Sequence, residues 1–214
     1  MVRIQVCEDD PRFRTLLCKI LARAEDFELV GESASGEEVC QQILAATEPP
    51  DLLLLDLELP GMGGIDVVRA LVPVLPALEI LILTTFADEN RVFEAMRAGA
   101  AGYLVKGIAP RQLEVAIREV MAGGSVIEPR LAKRFWNLFS ASRGQRPEDF
   151  GMTREELEVL TLVARGLSNP EAARVLGEST RAVKATLQSI YRKLGVSGRV
   201  EATVTALQAG LITI

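Results

Sequence analysis

The 214-residue chain is 49% hydrophobic and 25% charged, with a net charge of −5 and no histidine. That balance can build real cores and excludes bulk disorder, and no apolar run approaches the roughly 20 residues that a bilayer span needs. Without histidine there are no histidine triads, no histidine metal sites and no phosphohistidine donor carried by the chain itself.

The first residues, ending in Val6-Cys7, read as a short strand running into acids. They lack the apolar core and small-residue cleavage site of a signal peptide, so the expected location is the cytoplasm, with no membrane partner. Cys7, Cys18 and Cys40 have no metal-ligand spacing, and an odd count argues against a disulfide framework; they read as small thiols in a reducing compartment. Strands are predicted at 2–7, 27–32, 52–55, 80–83 and 103–105. Between the first two, Phe13, Leu16, Leu17, Ile20 and Leu21 fall at helical i, i+3, i+4 spacing, and Leu113, Ile117, Val120 and Met121 repeat that pattern later. The run Leu52-Leu53-Leu54-Leu55 is apolar on every residue, so both faces of that strand need cover. Such a strand belongs in a parallel sheet between helix layers. Five strand–helix units make residues 1–121 an α/β domain with a doubly wound five-stranded parallel sheet.

After Gly123-Gly124 the texture changes. Residues 122–151 read as a connecting region: a short helix over 129–139 carrying Trp136, then a polar, breaker-rich linker over 140–151. Residues 152–214 hold helical segments near 153–165, 169–176, 180–194 and 198–209 and no strand pattern, so they read as a small all-α four-helix domain. Charge divides the same way. Residues 1–150 carry 16 Lys and Arg against 23 Asp and Glu, whereas residues 151–214 carry 8 against 6. An acidic front and a mildly basic tail point to different partners.

In an open parallel sheet the reactive site lies beyond the carboxyl ends of the strands. Here the first strand ends in Glu8-Asp9-Asp10, the third in Asp56, the fourth in Thr84-Thr85 and the fifth in Lys106. Clustered carboxylates repel one another unless a hard cation neutralises them, and oxygen ligands suit Mg²⁺. An aspartate can act as nucleophile toward phosphorus, forming an acyl phosphate. Phosphoryl transfer then asks mainly for positioning and positive charge, which a metal and a lysine supply, with a hydroxyl to read the phosphoryl oxygens. Taken singly, each residue has a plainer reading as a cap, a solvated lysine or a structural threonine. Gly61-Met62-Gly63-Gly64 lacks the Lys-Ser/Thr of a Walker loop and reads as a tight turn after Pro60.

The segments Glu8-Asp9-Asp10-Pro11, Leu54-Leu55-Asp56-Leu57-Glu58-Leu59-Pro60-Gly61, Leu83-Thr84-Thr85-Phe86 and Ala98-Gly99-Ala100-Ala101-Gly102-Tyr103-Leu104-Val105-Lys106 together resemble a receiver domain of flavodoxin-like fold. The resemblance covers about residues 1–121, in order and with the family's spacings. It implies Asp56 as phosphoacceptor, and Glu8 and Asp9 as the acidic pair that holds Mg²⁺ with the backbone carbonyl of Glu58. It implies Thr84 as the phosphate-sensing hydroxyl, Lys106 as the phosphate counter-charge and Tyr103 as the aromatic that switches with Thr84. Asp10 stands where a histidine is frequent in the closest subfamily, and Gly107 where an aspartate often follows the lysine.

The segment 180–194 carries the second function. Val183, Leu187, Ile190, Tyr191 and Leu194 make one apolar face. Arg181, Lys184, Gln188 and Arg192 make a separate stripe, and the helix holds four basic side chains and no acid. A shorter helix and the turn Gly177-Glu178-Ser179, with Ser179 as N-cap, precede it, which makes a helix-turn-helix. The wording Met152-Thr153-Arg154-Glu155-Glu156-Leu157-Glu158-Val159-Leu160, Ala164-Arg165-Gly166-Leu167-Ser168-Asn169 and Lys193-Leu194-Gly195-Val196 resembles the LuxR-type DNA-binding domain. With the receiver, it is similar to the NarL/FixJ response regulators across nearly the whole chain. By that resemblance Lys184, Ala185 and Gln188 lie next to the bases; Arg181, Arg192 and Lys193 are assigned to the DNA backbone from charge and facing alone. Glu178 occupies a turn position that is usually apolar, and Thr186 replaces a frequent histidine.

The implied function is a two-component response regulator. A sensor histidine kinase phosphorylates Asp56 with Mg²⁺, and this controls dimerisation and binding of double-stranded DNA. The only turnover expected of the chain is slow hydrolysis of its own acyl phosphate, so it is not read as an enzyme. One recognition helix neutralises few phosphates, so two-fold dimers are expected when active. Val200, Val204, Leu207 and Leu211 at spacing 4, 3, 4 read either as a core face or as a dimer seam, and the resemblance favours the seam. A reading from another class is a phosphorylation-gated protein-interaction module, to which Glu178 is most favourable.

Overall fold

A computed structural model of the chain describes residues 1–85, 89–126 and 150–212. They fall into two compact units, Met1–Met121 and Ala122–Ile214. The helix expected over 129–139, with Trp136, and nearly all of the linker expected over 140–151 lie outside the described residues.

The first unit alternates β1 (Val2–Cys7), α1 (Pro11–Leu21), β2 (Phe27–Ser33), α2 (Gly36–Ala45), β3 (Leu52–Leu55), α3 (Gly64–Leu71), β4 (Glu79–Thr84), α4 (Glu89–Arg97), β5 (Gly102–Val105) and α5 (Pro110–Met121). The strands form one sheet in the order β2-β1-β3-β4-β5, and every pairing is parallel. Each expected strand is present, with its ends within a residue of the expectation. All four leucines of β3 are buried, as a strand between two helix layers requires. Of the apolar positions expected along α1, Leu17, Ile20 and Leu21 enter the core, but Leu16 is 49% exposed.

Two local devices set the carboxyl edge of this sheet. Asp10 caps α1: its carboxylate accepts the Arg12 N–H at 2.8 Å, and Pro11 starts the helix where no N–H is needed. At Gly64 a Cβ would stand 2.2 Å from the Asp56 carbonyl oxygen, so α3 begins in direct contact with the backbone of Asp56. The order of the strands reverses at β1, and the crevice at the carboxyl ends of β1 and β3 is where an open α/β sheet binds its ligands.

The second unit contains α6 (Arg154–Ala164), α7 (Asn169–Leu176), α8 (Thr180–Leu194) and α9 (Arg199–Gln208). Thr153 and Glu156 cap α6 reciprocally. Ser179 caps α8 by accepting the Ala182 N–H at 3.1 Å. Between α7 and α8 the chain turns at Gly177, whose φ of +69° no other residue type adopts as readily. Val159, Leu160, Val163, Ala172, Ala173, Val183, Leu187, Ile190, Leu194, Ala202 and Ala206 form one core. Val204 is 9% exposed, and Leu207 and Leu211 pack against that core.

Candidate functional site

The carboxyl edge gathers residues from four strands. Glu8 follows β1, Asp56 follows β3, Thr84 ends β4 and Lys106 follows β5. Glu8, Asp56 and Thr84 are 1%, 3% and 1% exposed, and Tyr103 is fully buried. The Lys106 ammonium lies 2.7 Å from Glu8 Oε2 and 2.8 Å from Asp56 Oδ2. The Lys106 N–H donates to the Thr84 carbonyl at 2.7 Å, which joins β4 and β5 at their tips. Carboxylate oxygens of Glu8, Asp9 and Asp56 all lie within 4.8 Å of one another. The Glu58 N–H donates to Asp56 Oδ1 at 3.2 Å, so the peptide of Glu58 sits against the same carboxylate.

The electrostatics follow from crowding. Burial pushes the Glu8 carboxyl up, a push that the Lys106 hydrogen bond opposes and the Asp56 charge adds to. Burial alone would lower Lys106, but hydrogen bonds to Asp56 and Glu8 outweigh it and hold the ammonium above its ordinary value. Three carboxylates against one ammonium leave a formal charge of −2 when all are ionised. An all-oxygen donor set with that deficit fits a hard divalent cation such as Mg²⁺.

Four further side chains support the site, and neither arginine among them was singled out by the sequence. Arg14 donates to the Glu8 carbonyl at 2.6 Å, fixing the loop that presents Glu8 and Asp9. Arg91, from α4, donates to the Leu57 carbonyl at 3.0 Å and pairs with Glu58 Oε1 at 3.3 Å. The Thr85 hydroxyl reaches Glu58 Oε2 at 3.4 Å. Phe13 turns its ring toward Lys106, with the ammonium 4.8 Å from the ring centre. Periodicity could have flagged Phe13 only as another core position, and charge alone does not say what an arginine holds.

In the second unit α8 buries Val183, Leu187, Ile190 and Leu194. Arg181, Ala185 and Arg192 are exposed, and Lys184 and Gln188 are half-buried. Lys193, assigned to the DNA backbone from charge and facing, makes contacts within its own domain. Its ammonium lies 2.7 Å from Glu156 Oε2 and 2.8 Å from the Gly151 carbonyl, both within its own domain. Glu156 is 6% exposed and also accepts the Ser189 hydroxyl at 2.8 Å and the Thr153 N–H at 2.7 Å. Burial works against its charge, but these donors, Lys193 foremost, take the carboxyl down to about 2.

A parallel sheet in this order, with paired acids, an aspartate and a lysine at its carboxyl edge, defines a receiver domain, and the α7–α8 pair defines a helix-turn-helix. Residues 4–118 match the family model of the response regulator receiver domain, and residues 151–206 that of the bacterial regulatory proteins of the luxR family. The chain is 33% identical to the uncharacterized transcriptional regulatory protein YxjL of Bacillus subtilis (strain 168), over 99% of this chain and 97% of that one. It is 32% identical to the response regulator protein VraR of Staphylococcus aureus, over 99% of each. Among solved structures it is similar to the response regulator ChrA of a heme-sensing two-component system, at 32% identity and a TM-score of 0.53, over 99% of this chain and 98% of that one. A LuxR-family two-component response regulator from Aurantimonas sp. SI85-9A1 matches at 32% identity and a TM-score of 0.57, over 62% of this chain and 94% of that one. The chain belongs to the two-component response regulators of the NarL/FixJ type, with a receiver domain joined to a LuxR-type DNA-binding domain. It is a DNA-binding regulator of transcription. Among the described residues, no helix is long and apolar enough to cross a membrane.

Proposed function

We propose that a partner histidine kinase phosphorylates Asp56 in a Mg²⁺-dependent step, and that the acyl phosphate raises the affinity of a homodimer for double-stranded promoter DNA in the cytoplasm. The observation that carries this reading is the meeting of Glu8, Asp56 and Lys106 in one buried cluster at the carboxyl edge of the sheet, with the exposed Asp9 beside it. An Asp56 carboxylate oxygen attacks phosphorus as the P–N bond of the donor phosphohistidine breaks, and the imidazole leaves with the electron pair and takes up a proton. Glu8, Asp9, Asp56 and the Glu58 carbonyl would hold Mg²⁺, which supplies positive charge at the phosphoryl oxygens. Lys106 moves from the carboxylate it neutralises at rest to a phosphoryl oxygen, and the Thr84 hydroxyl donates to another. Thr84 and Lys106 are tied through their backbones, so Tyr103, on the strand leading to Lys106, shifts with them.

The output is a shift in population. Moving a two-state switch from 1:99 to 99:1 takes about 5.5 kcal/mol of differential stabilisation. A doubly charged phosphoryl group held by Lys106 and Mg²⁺ contributes part of it, and pairing two domains on adjacent half-sites adds more. Arg181, Lys184, Ala185, Gln188 and Arg192 form the DNA-facing stripe, and Lys193 secures the helix that carries it. Slow hydrolysis of the acyl phosphate resets the switch.

Radiolabelled acetyl phosphate with Mg²⁺ should label the wild-type chain, and Asp56→Asn should take up none. Label retained in that variant would move the acceptor elsewhere. Beryllofluoride should tighten binding to promoter DNA; equal affinity with and without it would leave phosphorylation without a regulatory role.

A further inference from the structure

We propose that Phe13 positions the Lys106 ammonium: its ring forms a wall of the acid pocket that keeps the ammonium between Glu8 and Asp56 yet lets it slide toward a phosphoryl group. The proposal rests on the reading of Asp56 as phosphoacceptor. Its starting point is the environment of Lys106, whose side chain is 11% exposed. The ammonium faces Glu8 on one side, Asp56 on another, and the Phe13 ring at 4.8 Å. A lysine reaches such a place on a flexible four-carbon stem, and its charge is a compact point with three rotatable donors. Carboxylates alone would define where that charge rests and would resist its leaving.

An aromatic face acts on the charge differently. The ring quadrupole attracts a cation over its whole face, with little preference for direction in the plane. An ammonium moving a few ångströms from Asp56 Oδ2 to a phosphoryl oxygen therefore stays over the ring throughout, whereas a hydrogen-bond acceptor would be left without its partner. The ring also closes one side of the pocket to water, which strengthens each electrostatic interaction inside. Phe13 is held for the purpose by its own helix. It lies in the first turn of α1, after the Asp10 cap, four residues before the core residue Leu17. Its neighbour Arg14 ties the same turn to the Glu8 carbonyl at 2.6 Å. The ring is half-buried.

The test uses the full-length chain and calorimetric titration with beryllofluoride in saturating Mg²⁺, for wild type, Phe13→Leu and Phe13→Tyr. Leucine keeps apolar bulk without a π face; tyrosine keeps the face. Phe13→Leu should weaken beryllofluoride binding about threefold to tenfold, while Mg²⁺ affinity without beryllofluoride stays within about twofold, and Phe13→Tyr should restore the wild-type value. Wild-type beryllofluoride affinity in Phe13→Leu would overturn the proposal, as would parallel losses of beryllofluoride and Mg²⁺ affinity, or failure of Phe13→Tyr to rescue. A wild-type chain that takes up no beryllofluoride would instead refute the phosphoacceptor reading, and this proposal would fall with it.

Discussion

The Lys106 ammonium lies 2.8 Å from the Asp56 carboxylate although β4 separates the strands that carry them. The lysine stem crosses the tip of β4 to reach it, and at rest it holds the place where a second cation would help. Removing it should therefore separate two functions that share one charge. In Lys106→Met, Mg²⁺ should bind about threefold to tenfold more tightly, because a competing positive charge near the carboxylates is gone. The same variant should hold beryllofluoride more weakly, and without metal it should lose about 3–5 kcal/mol of stability at neutral pH. Titration calorimetry and urea unfolding measure these quantities; weaker Mg²⁺ binding in the variant would contradict the arrangement.

Gly64 should tolerate no side chain. An alanine Cβ there would meet the Asp56 carbonyl oxygen at 2.2 Å, with backbone on both sides of the clash. Gly64→Ala should cost about 2–4 kcal/mol of receiver stability and lower phosphorylation along with it, since the displaced atoms belong to Asp56, the proposed acceptor. Thermal unfolding with wild-type stability would show that the α3 junction is looser than described.

The Glu156–Lys193 pair predicts an acid-sensitive DNA-binding domain. The Glu156 carboxyl is held at about 2 in the folded state, below its ordinary 4.5. Its ionised form therefore stabilises the fold above the unfolded value, and that contribution fades as pH falls from about 5 toward 2. The full effect is on the order of 3 kcal/mol. Urea unfolding of wild type and Glu156→Gln, compared at pH 7, 5, 4 and 3, should show the gap between them narrowing toward acid. A gap independent of pH would mean the carboxylate charge contributes nothing.

Basic residues of α8 should divide into two kinds when tested against DNA. Lys184→Glu should abolish a gel shift on promoter DNA at physiological salt. Arg192→Ala should weaken binding and reduce the slope of log affinity against log salt by about 0.9 for each phosphate that the arginine neutralises. Lys193→Met should leave that slope nearly unchanged while lowering the unfolding midpoint, because its ammonium is engaged by Glu156 and Gly151. A slope lowered as much by Lys193→Met as by Arg192→Ala would return Lys193 to the DNA surface.

The receiver was legible because parallel strands announce themselves by unbroken apolar runs, and because a doubly wound sheet sends every strand-end acid, hydroxyl and lysine to one edge. What could not be read was any property of a side chain that depends on a partner far along the chain. Charge and facing assign Lys193 to the DNA surface without revealing its pairing to a buried glutamate 37 positions earlier. Phe13 reads as core because helical spacing gives the side of a helix and not the depth of each residue; Leu16, on the same pattern, is exposed. The spacing of Val200, Val204, Leu207 and Leu211 suits a seam or a core alike; Val204 is buried, and Leu207 and Leu211 are half-buried against the core of their domain.

Asp10 has a quieter effect. The run Glu8-Asp9-Asp10 supplies three negative charges within three residues, yet the carboxylate of the third is turned away to the Arg12 amide. A helix start thus acts as a counter: it decides how many members of an acidic run face the cavity and how many serve the backbone. Asparagine or serine at position 10 would keep that count unchanged, and a one-residue insertion before Pro11 would alter it without removing a single acid.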